Sequence, residues 1–125
     1  MDSKSRIYLV DDDAGVCDAL TIFLEVCDYA VDVFRSSAAF LEQADEINQG
    51  VLVLDMRLPG ISGIELQAEL RKRRIDIPVI FITGHGDEEI RAAATQEGAI
   101  DFLEKPIDHG ALLKCIETAL LRAMN

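Results

Sequence analysis

Three short runs, Ile7 to Val10, Val51 to Leu54 and Val79 to Ile82, are apolar at every position, and each stops at a polar side chain: Asp11, Asp55 and Thr83. A run that does not alternate is buried on both faces. That is the condition of a strand in a parallel sheet covered by helices on each side. The segments between the runs carry helical spacing instead. Residues 14–27 place Val16, Leu20, Phe23, Leu24 and Cys27 on one stripe. Ser36 or Ser37 caps a second helix with Phe40, Leu41, Ala44 and Ile47 on one face. Ser62-Gly63-Ile64-Glu65 is a capping box that opens a third helix reaching about Arg74. A fourth helix runs from about Asp87 to Glu97 and is stopped by Gly98. Asp108 caps the last one, with Leu112, Leu113, Ile116, Leu120 and Leu121 apolar. Two further strands, alternating Ala30 to Phe34 and Ile100 to Leu103, complete a strict alternation of five strands and five helices.

Such a chain predicts an α/β, doubly wound (βα)5 fold. Its five-stranded parallel sheet has order 2-1-3-4-5, the flavodoxin-like arrangement, with strands 1 and 3 adjacent at the switch point. The 125 residues make one domain, 1–125, with no linker or repeat. The 23 acidic against 12 basic residues, a net charge of -11, disfavour nucleic acid and anionic membrane as partners of these residues. Residues 1–6 (Met1 to Arg6) carry no signal-peptide core and no apolar stretch approaches membrane length, so the expectation is a cytoplasmic protein. Cys17, Cys27 and Cys115 lack metal-ligand spacing and read as small buried hydrophobes.

The polar residues that end the strands share one edge of a parallel sheet. Asp11, Asp12 and Asp13 follow strand 1, Asp55 follows strand 3, Thr83 ends strand 4, and Glu104 and Lys105 follow strand 5. Ligands of open α/β sheets bind at that edge. Clustered carboxylates without His or Cys suit a hard dication, Mg²⁺ or Mn²⁺, held by Asp12 and Asp55. A dication, a spare carboxylate, a hydroxyl and an ammonium together suit phosphoryl transfer. Asp55 is then the nucleophile, and Thr83 and Lys105 neutralise the equatorial oxygens. Asp13 also reads as the N-cap of helix 1. Taken singly, Thr83 is a plain strand residue and Lys105 a solvated charge; their joint placement at successive strand ends carries the reading.

The stretches Val10-Asp11-Asp12-Asp13, Leu54-Asp55-Met56-Arg57-Leu58-Pro59-Gly60-Ile61-Ser62-Gly63, Phe81-Ile82-Thr83-Gly84-His85-Gly86-Asp87 and Gly98-Ala99-Ile100-Asp101-Phe102-Leu103-Glu104-Lys105-Pro106 resemble the receiver domains of two-component response regulators. The likeness spans almost the entire chain, and Thr-Gly-His-Gly-Asp resembles the FixJ-like branch. The resemblance implies that Asp55 is the phosphoacceptor. It also implies that Asp11, Asp12, Asp55 and the backbone carbonyl of Arg57 hold Mg²⁺, and that Thr83 and Lys105 contact the phosphoryl group. Phe102 takes the place of the switch aromatic, and the Lys105–Pro106 bond is cis. Arg57 and His85 flank the site as rim residues that set water access. The implied partners are a sensor histidine kinase, a second copy in a phosphorylation-dependent homodimer, and DNA through a C-terminal output domain beyond these residues. The fourth helix offers only Ile90, Ala93 and Ala94 to the core, so it is the element expected to move. The rival reading is an aspartyl-phosphate phosphatase or phosphotransferase on a similar sheet. Dehalogenase-like enzymes place a second aspartate two residues after the nucleophile, where this chain has Arg57.

Overall fold

In the computed structural model of the protein, residues 6–47, 49–84, 92, 96 and 101–123 are described. Five strands, β1 (Arg6–Val10), β2 (Ala30–Phe34), β3 (Val51–Asp55), β4 (Val79–Thr83) and β5 (Asp101–Glu104), pair in parallel in the order β2-β1-β3-β4-β5. Helices α1 (Ala14–Val26), α2 (Ser37–Gln43), α3 (Gly63–Lys72) and the C-terminal helix (His109–Ala123) cover them. This is the expected sheet and strand order. Ala92 and Gln96 are helical, while the rest of the expected Asp87–Glu97 helix, its candidate core residues Ile90, Ala93 and Ala94, and His85 lie outside the described residues.

The continuous apolar runs divide between two cores because successive strand side chains point to opposite faces. Tyr8, Val10, Leu52, Leu54, Val79 and Phe81 pack with Phe40 and Ala44 and with Leu66 and Leu70 of α3. Ile7, Leu9, Val51, Val53, Ile80 and Ile82 pack with Cys17, Leu20 and Leu24 of α1 and with Leu112, Ile116 and Ala119 of the C-terminal helix. Each Leu, Ile or Phe buried this fully contributes about 1.5–3 kcal/mol. β2 is an edge strand, so its alternation is only partly realised: Phe34 is buried and Val33 is exposed.

The helix starts follow the sequence. Asp13 accepts from the Val16 amide at 3.1 Å, Ser36 from Ala39 at 3.1 Å, and Asp108 from Ala111 at 3.0 Å. Ser62 and Glu65 form the full capping box. Two helix ends differ from the expected ones. α3 stops at Lys72, because Arg74 turns left-handed (φ 61°) and the Ile75 amide reaches back to the Leu70 carbonyl at 2.9 Å. α2 stops at Gln43 and tightens into a 3₁₀ turn over Ala44–Glu46, so Ile47 reaches the core from extended backbone. The cysteines are free, but only Cys17 is fully buried; Cys27 and Cys115 are half-exposed, and Cys115 Sγ lies 3.2 Å from Asp101 Oδ2.

At the β3 end, α3 begins hard against the strand. A Cβ on Gly63 would run into the Asp55 carbonyl oxygen and sit 2.9 Å from Met56 Cα, both of them backbone. Gly63→Ala is therefore expected to destabilise the fold by about 1–3 kcal/mol, the usual range for overpacking a rigid site. Urea denaturation checks this; an unchanged midpoint would show that the strand–helix junction is looser than its geometry.

Candidate functional site

The polar edge forms as the strand ends require. Asp11 and Asp55 leave neighbouring strands, since Val10 pairs with Leu54. Asp55 pairs with Ile82 and Thr83 with Glu104, which brings Thr83 and the approach to Lys105 alongside. The Lys105 amide donates to the Thr83 carbonyl at 2.9 Å, holding the start of the β5 exit against β4. The Lys105–Pro106 peptide is cis.

Asp11, Asp12 and Asp55 each offer a carboxylate oxygen within 4.8 Å of the others. Asp11 and Asp55 are buried and Asp12 is exposed. Lys105 Nζ lies 3.2 Å from both Asp11 Oδ2 and Asp55 Oδ2. It is aligned for a hydrogen bond only to Asp55, so Asp11 Oδ2 is buried with an ion pair but no hydrogen bond. The other oxygens are taken by backbone: the Asp13 amide donates to Asp11 Oδ1 at 2.9 Å, and the Arg57 amide to Asp55 Oδ1 at 2.9 Å. Beneath the cluster, Cys17 Sγ sits 3.3 Å from the Asp11 carbonyl.

Burial pushes the Asp55 carboxyl above its ordinary value. The Arg57 amide opposes that rise, the Asp11 charge adds to it, and Lys105 opposes it. For Lys105, burial pulls the ammonium down, but Asp11 and Asp55 together outweigh it and leave the group raised. Two buried acids are thus stabilised by one ammonium that neither could lose cheaply.

The sequence-predicted residues divide as follows. Asp11, Asp12, Asp55 and Lys105 come together, and Thr83 is buried at the adjoining strand end, 1% exposed. Phe102 is half-buried and stacks on its β4 partner Phe81, with centroids 5.9 Å apart and planes 13° from parallel. Arg57 is an exposed residue beside Asp55, and its amide donates to Asp55 Oδ1. One residue escaped the sequence reading: Arg35, whose Nη2 donates to the Asp12 carbonyl at 2.6 Å. The signal was its place directly after β2, level with the end of β1.

The donor set is all oxygen, includes a buried carboxylate oxygen without a hydrogen bond, and is too acidic for a single ammonium. It fits a hard dication such as Mg²⁺.

A doubly wound sheet with a lysine-closed acidic cluster at the β1/β3 switch point is the architecture of a receiver-type domain. The chain belongs to the response regulator receiver domain family, which it matches over residues 7–117. It is 37% identical to the transcriptional regulatory protein FixJ of Bradyrhizobium diazoefficiens over 98% of this chain and 60% of that protein. It is 42% identical to the response regulator protein TmoT of Ectopseudomonas mendocina over 95% of this chain and 54% of that protein. The crystal structure of FixJ-N superposes with a TM-score of 0.87 at 39% identity, covering 95% of this chain and 94% of that one. The chain therefore spans little more than half the length of these curated relatives.

A raised folded-state pKa at Asp55 has a definite sign. The contribution to stability is complete below the ordinary carboxylate value and is lost as pH rises through the raised one, so at neutral pH the ionised carboxylate works against the fold. Asp55→Asn should raise the thermal midpoint at pH 7 in the presence of a chelator, with the advantage shrinking toward pH 3. Mg²⁺ should raise the wild-type midpoint and leave the variant's nearly unmoved. Calorimetric scans across pH check both; a variant less stable than wild type at pH 7 would contradict the sign.

Proposed function

We propose that the domain is the phosphorylation-controlled switch of a two-component regulator, accepting a phosphoryl group from a sensor histidine kinase on Asp55. The observation that supports this best is the single ammonium of Lys105 spanning Asp11 and Asp55 at the switch point of the sheet. Asp11, Asp12, Asp55 and the Arg57 backbone carbonyl would hold Mg²⁺, with Mn²⁺ as a substitute. The cation, when bound, neutralises charge on the phosphoryl oxygens.

The residues of the chain do the rest. An Asp55 carboxylate oxygen attacks phosphorus, a P–O bond forms, and the P–N bond to the donor imidazole breaks. Lys105 exchanges its contact with Asp55 for a phosphoryl oxygen, and the Thr83 hydroxyl takes another. An apolar groove of about 390 Å³ opens beside Lys105, lined by Val16, Ala19, Leu20, Pro106 and Ile107 among others, and suits docking of the donor domain. Arg57 and His85 form the rim that meters water and so the lifetime of the phosphoryl group.

Movement of Thr83 toward the phosphoryl group frees space at the end of β4. Phe102, already stacked on Phe81, is then the aromatic that reads the change. The output is a phosphorylation-dependent homodimer and, through a C-terminal DNA-binding domain of the kind that the names of the transcriptional relatives suggest, control of transcription. On this reading the domain is cytoplasmic and is a regulator that turns over only its own phosphoryl group. No helix among the described residues is long and apolar enough to cross a membrane.

Incubation with acetyl phosphate and Mg²⁺ should add one phosphoryl group to wild type and none to Asp55→Asn, read by intact-mass spectrometry. An Asp55→Asn variant that is modified as fully as wild type would overturn the assignment. Lys105→Ala should still accept some phosphoryl group yet fail to dimerise, since the charge that couples the phosphoryl group to β5 is gone. Full dimerisation of that variant in light scattering would refute the coupling.

A further inference from the structure

β1 and β2 end in register, Val10 opposite Phe34, and one further bond follows: the Asp11 amide donates to the Phe34 carbonyl at 3.1 Å, with Arg35 next in the chain. That register sets the Arg35 side chain beside the loop leaving β1, where Nη2 donates to the Asp12 carbonyl oxygen at 2.6 Å. The other end of the same peptide is also held, because the Asp13 N–H donates to Asp11 Oδ1 at 2.9 Å. The Asp12–Asp13 peptide thus lies in series between a guanidinium and a carboxylate, each strengthening the other's hydrogen bond.

Asp12 itself is exposed, so no packing fixes its position. Its neighbours Asp11 and Asp55 are immobilised by burial, by backbone donors and by Lys105. Among the described residues, the donor that anchors the Asp12 backbone carbonyl is Arg35.

We propose that Arg35 is a positioning residue for the dication site, clamping the Asp12–Asp13 peptide so that the exposed Asp12 carboxylate stays with the two buried ones. The inference rests on the reading of Asp11, Asp12 and Asp55 as a Mg²⁺ site. Two effects of Arg35 oppose each other. Its positive charge repels a dication, whereas its clamp lowers the cost of ordering Asp12 around one. The guanidinium is exposed and screened by solvent, so the geometric effect wins. Removing Arg35 therefore weakens Mg²⁺ binding, where a purely electrostatic role would tighten it.

The test is Mg²⁺ titration by calorimetry on wild type, Arg35→Ala and Arg35→Lys, together with hydrogen exchange of the Asp13 amide in metal-free protein. Arg35→Ala should bind Mg²⁺ about tenfold more weakly, the lower end of the effect of outer-shell partners, and its Asp13 amide should exchange faster. Arg35→Lys, which keeps a charged donor, should recover part of both. Equal or tighter Mg²⁺ binding by Arg35→Ala would overturn the positioning role, and so would an unchanged Asp13 exchange rate whatever the metal does. Failure of wild type itself to take up Mg²⁺ would overturn the cation site and the positioning role with it; faster Asp13 exchange in Arg35→Ala would then show that the hydrogen-bonded clamp exists without that use.

Discussion

Everything at the working edge of this domain follows from one electrostatic conflict. Two buried carboxylates, Asp11 and Asp55, share a single ammonium, and a third carboxylate, Asp12, lies within reach of both. Like charges this close repel strongly away from bulk water, and burying each one costs further solvation. Hydrophobic packing alone would never select such an arrangement. It persists because the strands beneath are held by two apolar cores, one on each face of the sheet, that do not depend on it. The site is a local loss carried by a globally favourable fold, as functional sites often are.

The backbone makes that loss tolerable. Each buried acid receives one main-chain N–H, from Asp13 and from Arg57, so half of each carboxylate is satisfied by groups that cannot titrate away. The Lys105 amide is itself tied to the Thr83 carbonyl, so the ammonium is delivered from a fixed point and not from a free tail. Gly63 lets α3 start directly over the Asp55–Met56 backbone. Side chains supply the charge, while main-chain hydrogen bonds supply the rigidity.

Much of this was legible in the sequence, for definite reasons. Apolar runs without alternation announce double-sided burial, and in a parallel sheet their polar terminators must share an edge, so the sequence alone places Asp11, Asp55, Thr83 and Lys105 at one edge. The caps at Asp13, Ser36, Ser62 and Asp108 were legible because capping is a short-range matter of one side chain and a nearby amide. What escaped depends on register or on backbone conformation. Arg35 has no local signature, and its role appears only when β2 is laid beside β1. The end of α3 was misplaced because left-handed termination usually calls for glycine, and here Arg74 supplies it, as Asp28 does after α1. Cys115 was read as a small buried hydrophobe from the absence of metal-ligand spacing; it does pack against the core, but only partly buried and with its thiol 3.2 Å from Asp101 Oδ2, a contact that spacing cannot announce.

The same conflict explains why a phosphoryl group would act as a switch here and not as mere decoration. Three carboxylates against one ammonium leave the cluster two charges negative, which is what one dication cancels. Replacing the single charge of Asp55 by the roughly two charges of a phosphoryl group would break that balance again. On the proposed reading, the ammonium of Lys105 would then choose between the phosphoryl oxygens and Asp11. Because Lys105 is tethered by its own amide to Thr83, its displacement would be felt at the carboxyl ends of β4 and β5, two residues on from the stacked pair Phe81 and Phe102. On the proposed reading, a charge added at one strand end would thereby be converted into a packing change between two neighbouring strands, with no long-range pathway required.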